Sequence, residues 1–149
     1  IHDLETKETV AYNDEGSQEP IVRGLQRLRD ADLIIGHNIL GFDLVVIEKL
    51  YAWFKRPAIS VDTLLLSRLY HPDMIKVDKQ HNWKHMPLKL YGRHSLESYG
   101  YRLGEFKGAY GSTTDWQSWS QEMEDYCIQD VNVTTKLWTH FTPYLNGSR

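Results

Sequence analysis

The sequence has little that would mark a secreted, membrane or metal-finger protein. Its single cysteine, Cys127, excludes an internal disulfide and fits a reducing compartment. No apolar run approaches the roughly 20 residues that span a bilayer, and the first residues carry neither a basic nor an apolar signal region. No membrane helix or export signal is therefore read, and a cytoplasmic location is expected. Seven histidines include no compact zinc pattern; His81 and His85 are four apart but lie in a polar stretch without cysteine support. There is no Gly-rich phosphate loop and no context for a Ser/His/Asp triad. Repeats, low-complexity tracts and a second-domain linker are also missing, so residues 1–149 are read as one domain. A strong basic excess is lacking too: 17 Lys and Arg stand against 20 Asp and Glu. That balance argues against a non-specific nucleic-acid binder, but not against a nuclease whose metal site needs clustered carboxylates.

What is present is a globular composition, 41% hydrophobic and 25% charged, enough to build a core. The charge is uneven. His71–Arg93 holds five basic residues against Asp73 and Asp78, leaving every other region together at −6. Thr9–Tyr12 alternates weakly and predicts a short strand. Ile21, Leu25 and Leu28 predict a helix over Pro20–Ala31, with Pro20 suited to its first turn. Leu33-Ile34-Ile35, ending in Gly36, predicts a buried strand. Leu40, Leu44, Ile47 and Tyr51 predict a helix over Leu40–Phe54, Ile59–Val61 a second buried strand, and Thr63–Tyr70 a short helix. His71–Arg93 shows no period and reads as a long loop. A helix is predicted over His94–Tyr101, a loop over Gly104–Thr114, and a long amphipathic helix over Trp116–Phe141. This alternation predicts an α/β fold, a mixed sheet flanked by helices.

Two constellations stand out. In Gly36-His37-Asn38-Ile39-Leu40-Gly41-Phe42-Asp43 a buried strand ends and a helix begins, the usual place for a ligand site in an α/β sheet. Asp43 equally suits a helix N-terminus, and Asn38 an ordinary turn. In Tyr126-Cys127-Ile128-Gln129-Asp130 the first and last residues share one helix face with Met123, Val133 and Leu137. A carboxylate on an apolar stripe is costly unless it pairs or binds metal; the alternative puts Asp130 at the edge of the stripe and Tyr126 in the core.

Taken together, Asn-x-x-x-Phe-Asp after a buried strand and Tyr-x-x-x-Asp on a late helix resemble the second and third motifs of the DEDD exonucleases, tyrosine-bearing subclass. The segments Val61–Leu69 and His94–Gly108 resemble those between these motifs in the exonuclease domain of short-tailed-phage family A DNA polymerases. The resemblance implies a ribonuclease-H-like fold and two-metal removal of nucleotides from a single-stranded DNA 3′ end. It implies Asp43 and Asp130 as Mg²⁺ or Mn²⁺ ligands and Tyr126 as the residue orienting the attacking water. Phe42 would contact the terminal nucleotide, and Asn38 would either do the same or steady the strand-to-helix turn. A linked or associated polymerase domain, no membrane and, if the chain is phage-encoded, the bacterial host cytoplasm complete the expectation.

The family's first motif, Asp-x-Glu on the central strand, has a counterpart in Asp3-Leu4-Glu5. Only Ile1 and His2 precede it, whereas a central strand needs an apolar lead-in. Too few elements also separate it from Asn38. We read Asp3 and Glu5 as a decoy, exposed and remote from Asp43 and Asp130, and the fold as N-terminally incomplete. Two other functions stay open: an exonuclease-like module that binds DNA or a partner without catalysis, and a free-standing exonuclease acting on RNA. Trp83, among Lys79, Lys84 and Lys89, is either packing or a platform on which a base stacks.

Overall fold

A computed structural model describes residues 1–15, 19–105 and 118–148. The architecture is α/β, with six helices and a small sheet among these residues. Helix α1 spans Ile21–Arg29 and opens directly after Pro20, whose φ of −59° already suits a helix start. Strand β1, Leu33–Gly36, pairs in parallel with β2, Ile59–Asp62, in the register Leu33↔Ile59 to Gly36↔Asp62. The crossover between them holds a π-helical turn, Ile39–Asp43, and α2, Leu44–Leu50. Leu25, Ile34, Leu44 and Phe54 are buried together, with Leu40, Ile47 and Tyr51 packed against them, so the face expected of α2 is the one that turns inward. The helix ends at Leu50 rather than Phe54 because Tyr51 leaves helical geometry.

The second half is helical. Helix α3, Thr63–Tyr70, has the predicted bounds and is capped by Asp62, whose side chain accepts the Leu64 amide. Helix α5, Leu96–Arg102, is capped by Ser95, and α6, Gln121–Leu145, by Ser120. Helix α6 starts later than the expected Trp116, which lies outside the described residues, and runs four residues past Phe141. Val133, Leu137 and Phe141 on α6 are fully buried, with Met74, Tyr99, Tyr70 and Leu96 around them. This helix packs on α3 and α5 and also touches β1, joining the two cores.

Two expectations need correction. Thr9–Tyr12 forms no strand: only the isolated bridges His2↔Thr9 and Tyr12↔Glu19 occur there. The chain turns sharply at Asp3–Glu8, with Lys7 in the left-handed region, and finds no long partner edge. The stretch from His71 to Arg93 is not a plain loop. It holds α4, Met74–His81, and a 3₁₀ turn, Leu88–Leu90. The inward positions of α4 are Met74 and Asp78, so one core position is a carboxylate and the apolar period is hidden. Most of the expected loop from Gly104 to Thr114 lies outside the described residues.

Candidate functional site

At the carboxyl ends of β1 and β2 the backbone makes a tight, cross-linked turn. Gly36 is required there: a Cβ would lie 2.1 Å from the Ile39 side chain. Asn38 takes φ +59°, a left-handed geometry that asparagine tolerates better than most residues. Gly41 leaves room for the Asn38 side chain, which a Cβ would meet at 2.9 Å. The Leu44 amide then donates to the Ile39 carbonyl, five residues back, and this wide turn presents Asp43. Asp62 ties the turn to β2, accepting from the amides of Asn38 at 2.8 Å and Leu40 at 3.1 Å as well as Leu64. Asp62 is buried, and in the sequence it stood out only as a member of the Val61–Leu69 segment.

Asp43 reaches solvent at its surface yet is crowded by protein. That desolvation, and then the nearby Asp62 carboxylate, push its pKa above the ordinary aspartate value. No cation offsets them: Asp43 makes no ion pair or side-chain hydrogen bond among the described residues.

The opposite wall comes from α3, α5 and α6. A cleft of about 520 Å³ is lined by Asn38, Tyr126 and Asp130, together with Glu97, Arg68, Arg93 and His94. Three of the residues singled out in the sequence thus meet in one place although they are up to 92 positions apart. Asp43 and Phe42 are not among the lining residues, and Phe42 is 62% exposed. Asp130 is half-buried with its Oδ1 shielded from solvent. Burial, then the Glu97 carboxylate, raise the Tyr126 pKa, so its phenol keeps its proton.

A polar relay stiffens this cleft. His37 bridges the Thr63 hydroxyl and the His94 carbonyl, at 2.8 Å each, and so clamps the strand end to the α5 approach. Ser67 bonds the His94 Nδ1 at 2.5 Å and the Tyr99 hydroxyl. Glu97, Arg68, Arg93 and His94 carry no motif of their own in the sequence, and His37 lies within the first constellation without a role being read for it.

Glu5 is exposed as expected, whereas Asp3, also expected to be exposed, is half-buried against Arg27. The Asp3 carboxylate accepts from the amides of Glu5 and Thr6 and pairs with Arg27 at 2.9 Å, while Glu5 is exposed. Its oxygens are engaged on a surface loop. Among the described residues no three His, Cys, Asp or Glu side chains are grouped to hold a metal ion. The donor set at the strand ends is nevertheless all oxygen, the type Mg²⁺ and Mn²⁺ take, and the mutual repulsion at Asp43 and Asp62 is the kind a cation relieves. Trp83, expected either to pack or to stack on a base, donates its Nε1–H to Asp78 at 2.9 Å and lies against His81, so it packs.

The chain matches no family model. It is 33% identical, over 92% of its length, to the DNA-directed DNA polymerase of Escherichia phage T7. It is 35% identical, over 70% of its length, to that of Enterobacteria phage T3. The chain spans less than a quarter of either relative, 23% and 18% respectively. The similarity relates it to a region of phage DNA polymerases. No described helix is long and apolar enough to cross a membrane.

Proposed function

We propose that this chain is the 3′→5′ proofreading exonuclease region of a phage-type DNA polymerase, with a ribonuclease-H-like fold and Mg²⁺ or Mn²⁺ as cofactor. The observation that carries the reading is the cleft in which Asn38, Tyr126 and Asp130 converge, beside the turn that presents Asp43. Asp43 and Asp130 would hold the divalent ions. Bound there, such ions lower the pKa of water and neutralise charge on the departing 3′ oxygen. Tyr126, protonated, orients the attacking water through its hydroxyl. Asn38 and Phe42 steady the terminal nucleotide, Phe42 by offering an exposed apolar face to the base.

Two carboxylates are too few to hold two cations, which repel each other strongly at a few ångströms. The reading therefore calls for further carboxylates from another segment of the protein. An apolar groove of about 420 Å³ lined by Ile1, Val10, Leu25, Leu28, Met123 and Ile128 is suited to an added strand. The same shortage favours a second reading, in which the chain binds DNA or a partner without hydrolysing it. The two separate in an assay of a 5′-labelled single-stranded oligonucleotide with the 149-residue chain and with the protein extended upstream in its own reading frame. The nuclease reading expects slow or no digestion by the former and an Mg²⁺-dependent ladder from the latter. Binding without any ladder in either form would favour the second reading.

A further inference from the structure

We propose that His94 and Arg68 form the subsite for a backbone phosphate of the single-stranded DNA, with His94 acting as a neutral hydrogen-bond donor through Nε2. This rests on the exonuclease reading above and adds to it how the strand is held.

The argument starts from proton counting. The Tyr99 hydroxyl is buried, and Ser67 is its partner. Burial keeps Tyr99 a phenol, so its oxygen carries one proton that needs an acceptor. If the ring of His94 donated from Nδ1, either the Ser67 hydroxyl or the Tyr99 phenol would be left with a buried proton and no acceptor. The reverse order satisfies every group: Tyr99 donates to Ser67, and Ser67 donates to His94 Nδ1. The proton of a neutral His94 then sits on Nε2, which has no partner among the described residues while the ring lines the cleft. Burial, then Arg102 and Arg68, lower the His94 pKa, with Asp78 opposing; these keep the ring neutral at physiological pH.

Arg68 supplies the charge. It is exposed at the mouth of the same cleft, close enough to His94 to act on it, and it makes no ion pair or hydrogen bond among the described residues. Arg93, also at the cleft, bonds Lys89 through Nε. The cleft is thus polarised, with Glu97 and Asp130 among its acids and Arg68 and His94 among its donors. A strand bound in this cleft would have a cation and an N–H donor available to one backbone phosphate.

Anisotropy titrations of a fluorescent oligothymidylate in EDTA, over a range of salt, test this without hydrolysis. Arg68→Gln is expected to weaken binding about 3- to 10-fold and to reduce the slope of log K against log salt by about 0.7, one single-strand phosphate contact. His94→Ala is expected to weaken binding several-fold with the slope unchanged, and His94→Gln, which can place an amide donor near Nε2, to recover most of it. Long-range ¹⁵N–¹H NMR of the histidine rings should report His94 protonated on Nε2 at pH 7. Inorganic phosphate at matched ionic strength should not displace the strand; displacement would assign a free-anion site instead and overturn the proposal. So would wild-type affinity and slope in both Arg68→Gln and His94→Ala, or an Nδ1-protonated ring. Failure of the wild-type chain to bind the oligonucleotide at all would instead sink the exonuclease reading on which the subsite rests.

Discussion

Asp78 and Asp43 are both aspartates on helical segments, and their surroundings are opposite. Asp78 is fully buried, and four donors fill its oxygens: Arg102 Nε at 2.9 Å and Nη2 at 2.6 Å, Trp83 Nε1 at 2.9 Å and the Gly92 amide at 2.8 Å. Burial alone would raise its pKa; the Arg102, Gly92 and Trp83 bonds outweigh that and bring it below the ordinary value. Arg102 in turn lies over the Tyr99 ring at 4.9 Å. This network fastens the whole stretch from α4 to Gly92 onto α5. Asp43 has the reverse arrangement, with crowding and a second carboxylate but no cation. The difference separates a carboxylate used for folding from one that costs stability. Asp43 carries a modest cost of this kind, which its contact with solvent limits.

Breaking the comparison at Asp78 should have the largest effect. Asp78→Ala strands the Arg102 charge in the interior and is expected to cost about 3–5 kcal/mol, lowering Tm by roughly 10 °C in thermal unfolding. Because the folded pKa of Asp78 is depressed, its stabilisation is complete at neutral pH and disappears as pH falls below 3.8 and through the folded value. At Asp43 the sign inverts. Asp43→Asn should leave Tm unchanged or raise it by about 1–2 °C at pH 7, while reducing oligonucleotide hydrolysis by the upstream-extended protein about 100-fold or more. The raised folded pKa means that wild type binds a proton in acid that the unfolded chain releases, so any advantage of the variant should shrink as pH falls towards 4. Tyr126→Phe tests the water-orienting role: about 10-fold slower hydrolysis, the loss of one hydrogen bond worth roughly 1–2 kcal/mol, with the metal dependence unchanged.

The smallest expected effect concerns His71, which bonds His140 through the two Nε2 atoms at 2.7 Å beside Phe141. Burial, then His140, His94 and Arg102, lower its pKa, so unfolding takes up protons below the ordinary value of 6.5. Stability should therefore decline as pH drops through 6.5, and His71→Gln should flatten that slope.

Much of the fold was legible because its elements are local. The strands at Leu33 and Ile59, the helix over Thr63–Tyr70 and the inward faces of α2 and α6 follow from runs and spacings of apolar residues. Helix α4 was not, since its inward residue Asp78 is stabilised by Arg102, 24 positions away, and no local period records that. The site divides in the same way. Asn38, Tyr126 and Asp130 were visible as motifs and do line one cleft. Asp62 joins the site through the pairing of β2 with β1, and Glu97, Arg68 and His94 through the packing of α3 and α5 against α6, which spacing within one segment does not reveal. At Asp3 the carboxylate closes a tight loop by accepting the Glu5 and Thr6 amides, a local geometry with no apolar period behind it.

The central claim, that Asp43 and Asp130 serve metal-dependent hydrolysis, meets its most direct test in one time course. A 5′-labelled single-stranded oligonucleotide is incubated with the upstream-extended protein and its Asp130→Ala variant, each in Mg²⁺ and in EDTA. The expected result is a shortening ladder with the unmodified protein in Mg²⁺ alone. A ladder of undiminished rate from Asp130→Ala, or one that persists in EDTA, would contradict the assignment.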